Sequence, residues 1–326
     1  MKSLLIAWVR YQRRVDTMKS YWGYLIYYIP NIFSTRYLRP IDYIWKSVLT
    51  IFILIRQKPS ILWIQLPPSI LLHITFIYKT LFNPNLKIIV DFHNSMLHPQ
   101  WIRFPLTLIL INCCNAIVTH NVYAQADAKS CGIKEDKLYV LEDLPGKLTT
   151  TYEVEFAKGL HPYVVSPCSF DPDEPVDIVL SAALLMPDLT FCITGDKFKL
   201  RNIHVDTLPS NVKMPGYLDK SDFESLLCHA DIVLGLTTRN NVQLSVANEA
   251  ISAGVPMVLS DTKTLRSIYD DAAVFVNSLD PLSIANGLRE VLQHHTELKS
   301  KVVKKKMSRI TDWHNKAKLL EKVLTS

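Results

Sequence analysis

The sequence predicts an α/β protein of two tandem domains, each built on a parallel, doubly wound sheet, and three observations carry that expectation. The chain has 326 residues, more than the roughly 250 to 300 at which a single hydrophobic core stops growing. Short apolar runs alternate with amphipathic stretches along its whole length, the pattern of strand, helix, strand units whose strands run parallel. The composition is globular, with 48% hydrophobic, 20% charged and 10% aromatic residues, which excludes disordered, collagenous and coiled-coil chains.

In the first half, residues 3–8, 24–28, 61–65, 87–90, 116–119 and 138–141 read as strands: they are brief, β-branched or aromatic, and bounded by turn or polar residues. Between them, Asp42 to Ile55 and Val122 to Cys131 read as helices, the second stopped by Gly132. The polar segment Gly146-Lys-Leu-Thr-Thr-Thr-Tyr152 leads toward an interdomain link. A second series follows, with strands at 162–166, 189–194, 231–236, 256–259 and 273–276 and helices at 174–185, 221–228 and 243–252, then a long helix from Pro281. The expected domains are 1–155 and 156–305, with a last helix at 306–326 whose Trp313, Ala317 and Leu320 stripe suits a return to the first domain. Two such sheets in tandem are expected to face each other across a cleft at their carboxyl ends.

Residues 1–150 carry seventeen basic and eight acidic side chains, whereas the remainder carries nineteen and twenty-two. The basic half, with Arg10, Arg13, Arg14 and Lys19 among Trp8, Tyr11, Tyr21 and Trp22, favours a phosphate-bearing partner or an anionic membrane face. Zinc-ligand spacing, a single-strand platform motif and a polybasic arm are all missing from the sequence, which disfavours nucleic acid. The six cysteines form no CxxC pair and read as small buried hydrophobes of a reducing compartment. Neither the start of the chain nor the apolar stretches 47–78 and 104–118 have the uninterrupted length of a leader or a span, so a soluble or peripherally attached protein is expected.

The most informative segment runs from Leu236 to Pro256. A strand ends in the polar loop Thr237-Thr-Arg-Asn-Asn241, and a helix expected to start near Gln243 aims its free N–H groups beyond the sheet, an arrangement suited to a diphosphate. Glu249, about two turns along, can accept hydrogen bonds from vicinal ribose hydroxyls, and Gly254 stops the helix. Asp91 and His93 end a strand in the first half with like parity, so they share a face, and either can take a proton from a reacting hydroxyl. His98, His120 and Asn121 are secondary polar candidates. Asp171 and Asp173 read as helix caps rather than metal ligands. His294 and His295 read as solvated, and Lys304 to Lys306 as a solvated helix face.

Glu249-Ala-Ile-Ser-Ala-Gly-Val-Pro-Met-Val258 resembles the second half of the signature of GT-B nucleotide-sugar glycosyltransferases, in which two glutamates are separated by seven residues. The first glutamate falls at Asn241, which can bond hydroxyls but carries no charge. Lys87-Ile-Ile-Val-Asp-Phe-His-Asn94, Val140-Leu-Glu-Asp-Leu-Pro145 and Val164-Val-Ser-Pro-Cys-Ser-Phe-Asp-Pro-Asp-Glu174 resemble, in order, segments of the β-1,4-mannosyltransferases that act on the chitobiosyl diphosphate lipid. The resemblance implies the GT-B fold, with catalysis at His93 and Asp91. It implies a UDP- or GDP-sugar donor held by Arg239, Asn240, Asn241, Gln243, Leu244, Ser245 and Glu249, with Ser166, Gly195, Tyr217 and Leu218. A polyprenyl-diphosphate-linked saccharide acceptor would meet Asn94, His120, and Arg13 and Arg14, which stand where many members have a glycine-rich loop. No cofactor and no metal are implied. The expected setting is a bacterial cytoplasm, peripheral on the inner membrane face, in surface polysaccharide synthesis. A non-catalytic partner subunit and a sugar-nucleotide epimerase of the same architecture remain alternatives.

Overall fold

The structure, a computed structural model, describes residues 2–33, 35–148, 150, 152–199 and 208–325. Thr149 and Thr151 of the polar connection lie outside them. The chain forms two compact units: Met1–Leu144 with Asp312–Ser326, and Pro145–Thr311. The second unit begins at Pro145 rather than after residue 155, the boundary expected from sequence, and Val154 enters its core.

In the first unit the order is β1 (Ser3–Ala7), α1 (Arg13–Trp22), β2 (Leu25–Tyr28), α2 (Arg39–Gln57), β3 (Ile61–Leu66), α3 (Ser69–Phe82) and β4 (Lys87–Phe92). Then come α4 (Pro99–Ile102), α5 (Thr107–Asn112), β5 (Ala116–Thr119), α6 (Val122–Ser130) and β6 (Leu138–Val140). The six strands are parallel in the order β2-β1-β3-β4-β5-β6. Every residue of β3 is buried, and β4 is buried from Ile88 onward; that is why these strands are continuous apolar runs rather than alternating ones. One core contains Leu4, Ile6, Leu62, Ile64, Ile88 and Val90 beneath Leu54 and Leu71. Elsewhere in the unit Trp22 meets Trp63 at 4.9 Å and Trp313 at 6.4 Å between ring centroids.

The second unit contains β7 (Tyr163–Pro167), α7 (Val176–Leu184), β8 (Thr190–Thr194), β9 (Val212–Gly216), α8 (Lys220–His229), β10 (Ile232–Gly235) and α9 (Ser245–Ala253). It continues with β11 (Met257–Ser260), α10 (Lys263–Tyr269), β12 (Val274–Val276), α11 (Pro281–Gln293) and α12 (His295–Thr325), whose last residues, from Asp312, belong to the first unit. Its parallel sheet runs β12-β11-β10-β7-β8-β9. Strand order reverses between β7 and β10, and ligands of open α/β sheets bind beyond the carboxyl ends of strands at such a point.

Several elements differ from the sequence reading. Helices α1, α3 and α10 and strand β9 were not anticipated, and the long helix expected from Pro281 breaks at His294. His295, expected to be solvated, is half-buried and bonds the Asp231 carbonyl at 3.1 Å. Cys114 and Cys192 are buried as expected, but Cys113 and Cys131 are exposed; all six cysteines are free.

Two glycines fix how closely the second unit packs. A Cβ on Gly195, whose φ is +145°, would lie 2.2 Å from the Cys168 carbonyl oxygen and 2.6 Å from the Phe170 ring, and one on Gly235 would lie 2.7 Å from Val246 Cγ1. The Gly195 obstacle is backbone and cannot rotate away. Gly195→Ala is therefore expected to cost about 2 kcal/mol or more in urea unfolding. A change below about half a kcal/mol would show that the loop after β7 yields freely.

Candidate functional site

The densest group of chemistry-bearing side chains lies at the carboxyl ends of β3, β4 and β5. Gln65 and Asp91 are in register across β3 and β4, and Phe92 pairs with Thr119 across β4 and β5. Parity then puts Asp91, His93 and His120 on one face of the sheet. The observed contacts agree: His93 Nε2 is 3.2 Å from Asp91 Oδ2, His120 Nε2 is 3.4 Å from Asp91 Oδ1, and the two imidazoles meet edge-on at 4.3 Å.

Arg14, the second residue of α1, joins this group. Its Nε donates to Asp91 Oδ1 at 3.0 Å, its Nη1 to Asp143 at 2.7 Å and its Nη2 to the Leu141 carbonyl at 2.7 Å. Arg14 is 3% exposed and Asp91 0%, so this is a correction to its assignment as a cation for an acceptor's phosphate. All three of its nitrogens are engaged inside the fold. Arg13 precedes it, half-buried, at the first position of α1.

Burial pushes the Asp91 carboxyl up, but the Arg14 charge, the close approach of His120 and the hydrogen bond from His93 outweigh it and hold the group well below the ordinary carboxylate range. Burial likewise opposes the Arg14 charge, and Asp91 and Asp143 more than restore it. His120 is lowered to about 4 by burial, then by the charges of Arg14 and His93, against the pull of Asp91. It is neutral at pH 7.

Asp91 and Gln65 both meet His93 at Nε2. With Gln65 Nε2 facing His93 Nε2 at 2.6 Å, Gln65 Oε1 is buried with no hydrogen-bond partner. The Asp91 carboxylate 3.2 Å from Nε2 places the His93 proton there and leaves the lone pair on Nδ1; Gln65 meets that N–H when its amide oxygen is the atom facing His93. A carboxylate that orients an imidazole in this way prepares it as a hydrogen-bond acceptor or base. Asp91, His93 and His120 also bring three ligand atoms within 4.8 Å of one another. Both Asp91 oxygens are already engaged, however, and the guanidinium 3.0 Å away opposes a cation. Asn94 follows on a 3-10 turn, half-buried. Asn121 caps α6 by accepting from the Ala124 N–H at 2.8 Å, and His98 is exposed at the start of α4.

The second unit holds the other candidates near its switch point. Ser166 at the end of β7, Leu236 beyond β10, and Leu244 and Val246 at the start of α9 line one pocket with Cys168 and Glu174. Helix α9 starts at Ser245, not near Gln243, and no side chain caps it, so Glu249 is the fifth helical residue, little more than one turn in. Both polar atoms of the Gln243 amide are buried with no hydrogen-bond partner, a demand that a bound ligand would meet. Glu249 is 9% exposed, whereas Arg239, Asn240, Asn241 and Ser245 are exposed.

Asp173 corrects the capping assignment. Helix α7 is preceded by Pro175 with no side-chain cap, while Asp173 accepts from Thr237 Oγ1 at 2.7 Å and pairs with Arg239 at 3.0 Å. It buckles the loop after β10 in place, and its backbone carbonyl accepts from the Thr238 N–H as well. Asp171 accepts from Ser169. Gly195 is demanded by close backbone packing, Leu218 packs against the core, and Tyr217 is 85% exposed. The sequence reading missed Gln65, gave Asp143 no role of its own and misread the role of Asp173. The parity of Gln65 beside Asp91 was the available signal for the first; the others depend on contacts far apart in the chain.

The two sheets and their strand orders define an α/β protein of the GT-B glycosyltransferase fold, and residues 162–294 match the family described as glycosyl transferases group 1. Among curated proteins, the chain is similar to chitobiosyldiphosphodolichol beta-mannosyltransferase of Candida albicans, with 26% identity over 293 residues. That match covers 73% of this chain and 62% of the relative, so the chain spans less than two thirds of its length. Among solved structures, Anabaena HepE in complex with UDP and glucose superposes with a TM-score of 0.73 at 14% identity, covering 100% of both chains. Sucrose-phosphate synthase from Thermosynechococcus elongatus gives 0.73 at 10% identity, covering 99% of this chain and 98% of that one.

Two outcomes follow from the buried pair. Arg14→Met strands the Asp91 charge and is expected to cost about 3–5 kcal/mol in denaturant unfolding; a loss under about 1 kcal/mol would show that Asp91 is not ionised in the fold. The folded pKa of His120 lies below its unfolded value of about 6.5, so its contribution is complete above about pH 6.5 and is lost as pH falls toward 4. His120→Gln should flatten the melting temperature against pH across that window, an effect of about 3 kcal/mol at most. An unchanged slope would contradict a neutral His120.

Proposed function

We propose that the protein is a glycosyltransferase that moves a sugar from a UDP- or GDP-sugar to a lipid-linked saccharide. The single observation that carries this is the Gln243 amide, buried without a hydrogen-bond partner just before the uncapped start of α9 at the switch point of the second unit, inside the segment matching the glycosyl transferases group 1 family. The diphosphate would meet the uncapped amino end of α9, where backbone N–H groups and the helix dipole favour negative charge. Gln243 would give its unsatisfied amide to the donor, and Glu249 would accept from the ribose. Arg239 would exchange its Asp173 partner for phosphate. UDP and glucose bound by HepE, and the mannosyl transfer in the Candida relative's name, support a nucleotide sugar without choosing the base.

The acceptor would be bound by the first unit. His93, with its Nδ1 lone pair held ready by Asp91 and Gln65, would accept a hydrogen bond or a proton from a sugar hydroxyl, and Asn94 and His120 would position neighbouring hydroxyls. The name of the Candida relative supports a polyprenyl-diphosphate-type acceptor, hence work at the inner membrane face, and a role in surface polysaccharide assembly is part of the same proposal. No resident metal or cofactor is needed for these roles.

Thermal-shift titration with UDP, GDP and their sugars tests the donor site. Glu249→Gln and Gln243→Ala should each weaken the stabilising nucleotide about tenfold or more. His93→Ala should leave that affinity unchanged and lower turnover, read as donor hydrolysis or lipid-linked transfer, about 10²- to 10⁴-fold. Nucleotide binding without turnover on any acceptor would favour a binding subunit, and conversion of the donor with no acceptor present would favour an epimerase.

A further inference from the structure

Helix α2 carries an exposed apolar stripe in addition to its buried face. Asp42, Lys46, Thr50, Ile53 and Leu54 point inward and are buried. Ile41, Ile44, Trp45, Val48, Phe52 and Ile55 are spaced at i, i+3, i+4, i+7, i+11 and i+14, a single outward stripe on a helix, and each is between 41% and 66% exposed. Helix α3 packs against α2 and adds exposed Ile77 and Leu81; α5 packs against α3 and adds exposed Leu106 and Ile109. Leu106 is held at a φ of +62° while 63% exposed, a conformation that a leucine seldom adopts. Three neighbouring helices of the first unit thus present one apolar face, larger than the scattered exposed residues of an ordinary surface.

The charge on this part of the chain selects the occupant. Between Asp16 and Asp127 the sequence has only two acidic residues, Asp42 and Asp91. They are 1% and 0% exposed, Asp42 accepting from the Ile32 N–H at 2.8 Å and Asp91 serving the site above. The same stretch exposes Arg39, Arg56, Lys58 and Arg103. A protein-binding surface mixes both signs at its rim. An apolar face whose own helices expose cations and no carboxylate matches an anionic bilayer, whose headgroups attract Lys and Arg while the interface takes up Trp and aliphatic side chains.

We infer that the outward face of α2, α3 and α5 docks on an anionic lipid bilayer, with Trp45, Val48, Phe52 and Leu81 entering the interface. Arg14, being buried, is not part of this contact. The inference deepens the membrane-side reading of the proposed function and rests on it only for the choice of the inner leaflet. Vesicle binding is measured without donor or acceptor, so its failure leaves the transferase assay untouched, and the reverse holds as well.

The experiment is co-sedimentation of the full chain with phosphatidylglycerol-containing vesicles and with pure phosphatidylcholine vesicles. The doubly substituted protein Val48→Glu, Leu81→Glu is compared with a control of equal charge change on the second unit, Leu184→Glu, Leu282→Glu. All four positions are exposed, so both proteins should keep the parent's circular dichroism and melting temperature. The expected result is salt-sensitive binding of the parent to the anionic vesicles alone, a loss of about tenfold or more in the first variant, and a change within about twofold in the control. Equal binding to both vesicle types, variant binding equal to the parent's, or an equal loss in the control would overturn the inference. So would a parent that ignores vesicles but forms a dimer which the first variant dissolves, since the face would then belong to a second copy.

Discussion

The buried pair of Arg14 and Asp91 is the constraint on which the arrangement of the first unit depends. A carboxylate with no solvent exposure stays charged only if another charge and several donors replace its water, and here one guanidinium and two imidazoles do so. The same guanidinium reaches Asp143 and the Leu141 carbonyl, tying α1 to β4 and to the segment after β6. A buried ion pair of this kind is weak evidence of net stabilisation, because hydrophobic residues of equal volume often serve as well. What hydrophobic residues could not do is fix an imidazole. Asp91 does that for His93, so the pair connects the fold to the chemistry proposed for it.

The second unit solves a different problem with less charge. Its pocket needs a helix end brought close to a strand end, which Gly235 permits where a Cβ would collide with Val246, and Gly195 lets the end of β8 lie against the loop after β7. Asp173 then holds the loop after β10 by accepting from a hydroxyl, a backbone N–H and a guanidinium. What is left unsatisfied is the Gln243 amide beside the uncapped start of α9. An amide with both polar atoms buried and unpartnered at a switch point marks where a ligand belongs.

Much of the fold was legible because parallel strands buried on both faces are short apolar runs with clear boundaries; the strand Ala116–Thr119 was read to the residue. Helix α3 was hidden because Ser69–Phe82 is apolar on most sides, and a continuous apolar run does not by itself distinguish a buried helix from strands. Helix α1 was hidden because its basic and aromatic residues read as a surface patch. The site was half legible. Like parity placed Asp91 and His93 on one face. The fate of Arg14 was decided by partners 77 and 129 positions away, which local sequence does not show, and so a cation expected at the surface proved to be the one that keeps Asp91 charged. Asp173 misled for the same reason, since its partners come from a loop more than sixty residues on.

Heteronuclear NMR of the imidazole nitrogens at neutral pH tests the central claim most directly. A charged Asp91 oriented by Arg14 predicts His93 with its proton on Nε2 and a bare Nδ1, His120 neutral beside it, and loss of the single His93 tautomer in Asp91→Asn. A His93 protonated on Nδ1, or a spectrum that Asp91→Asn leaves unchanged, would contradict it.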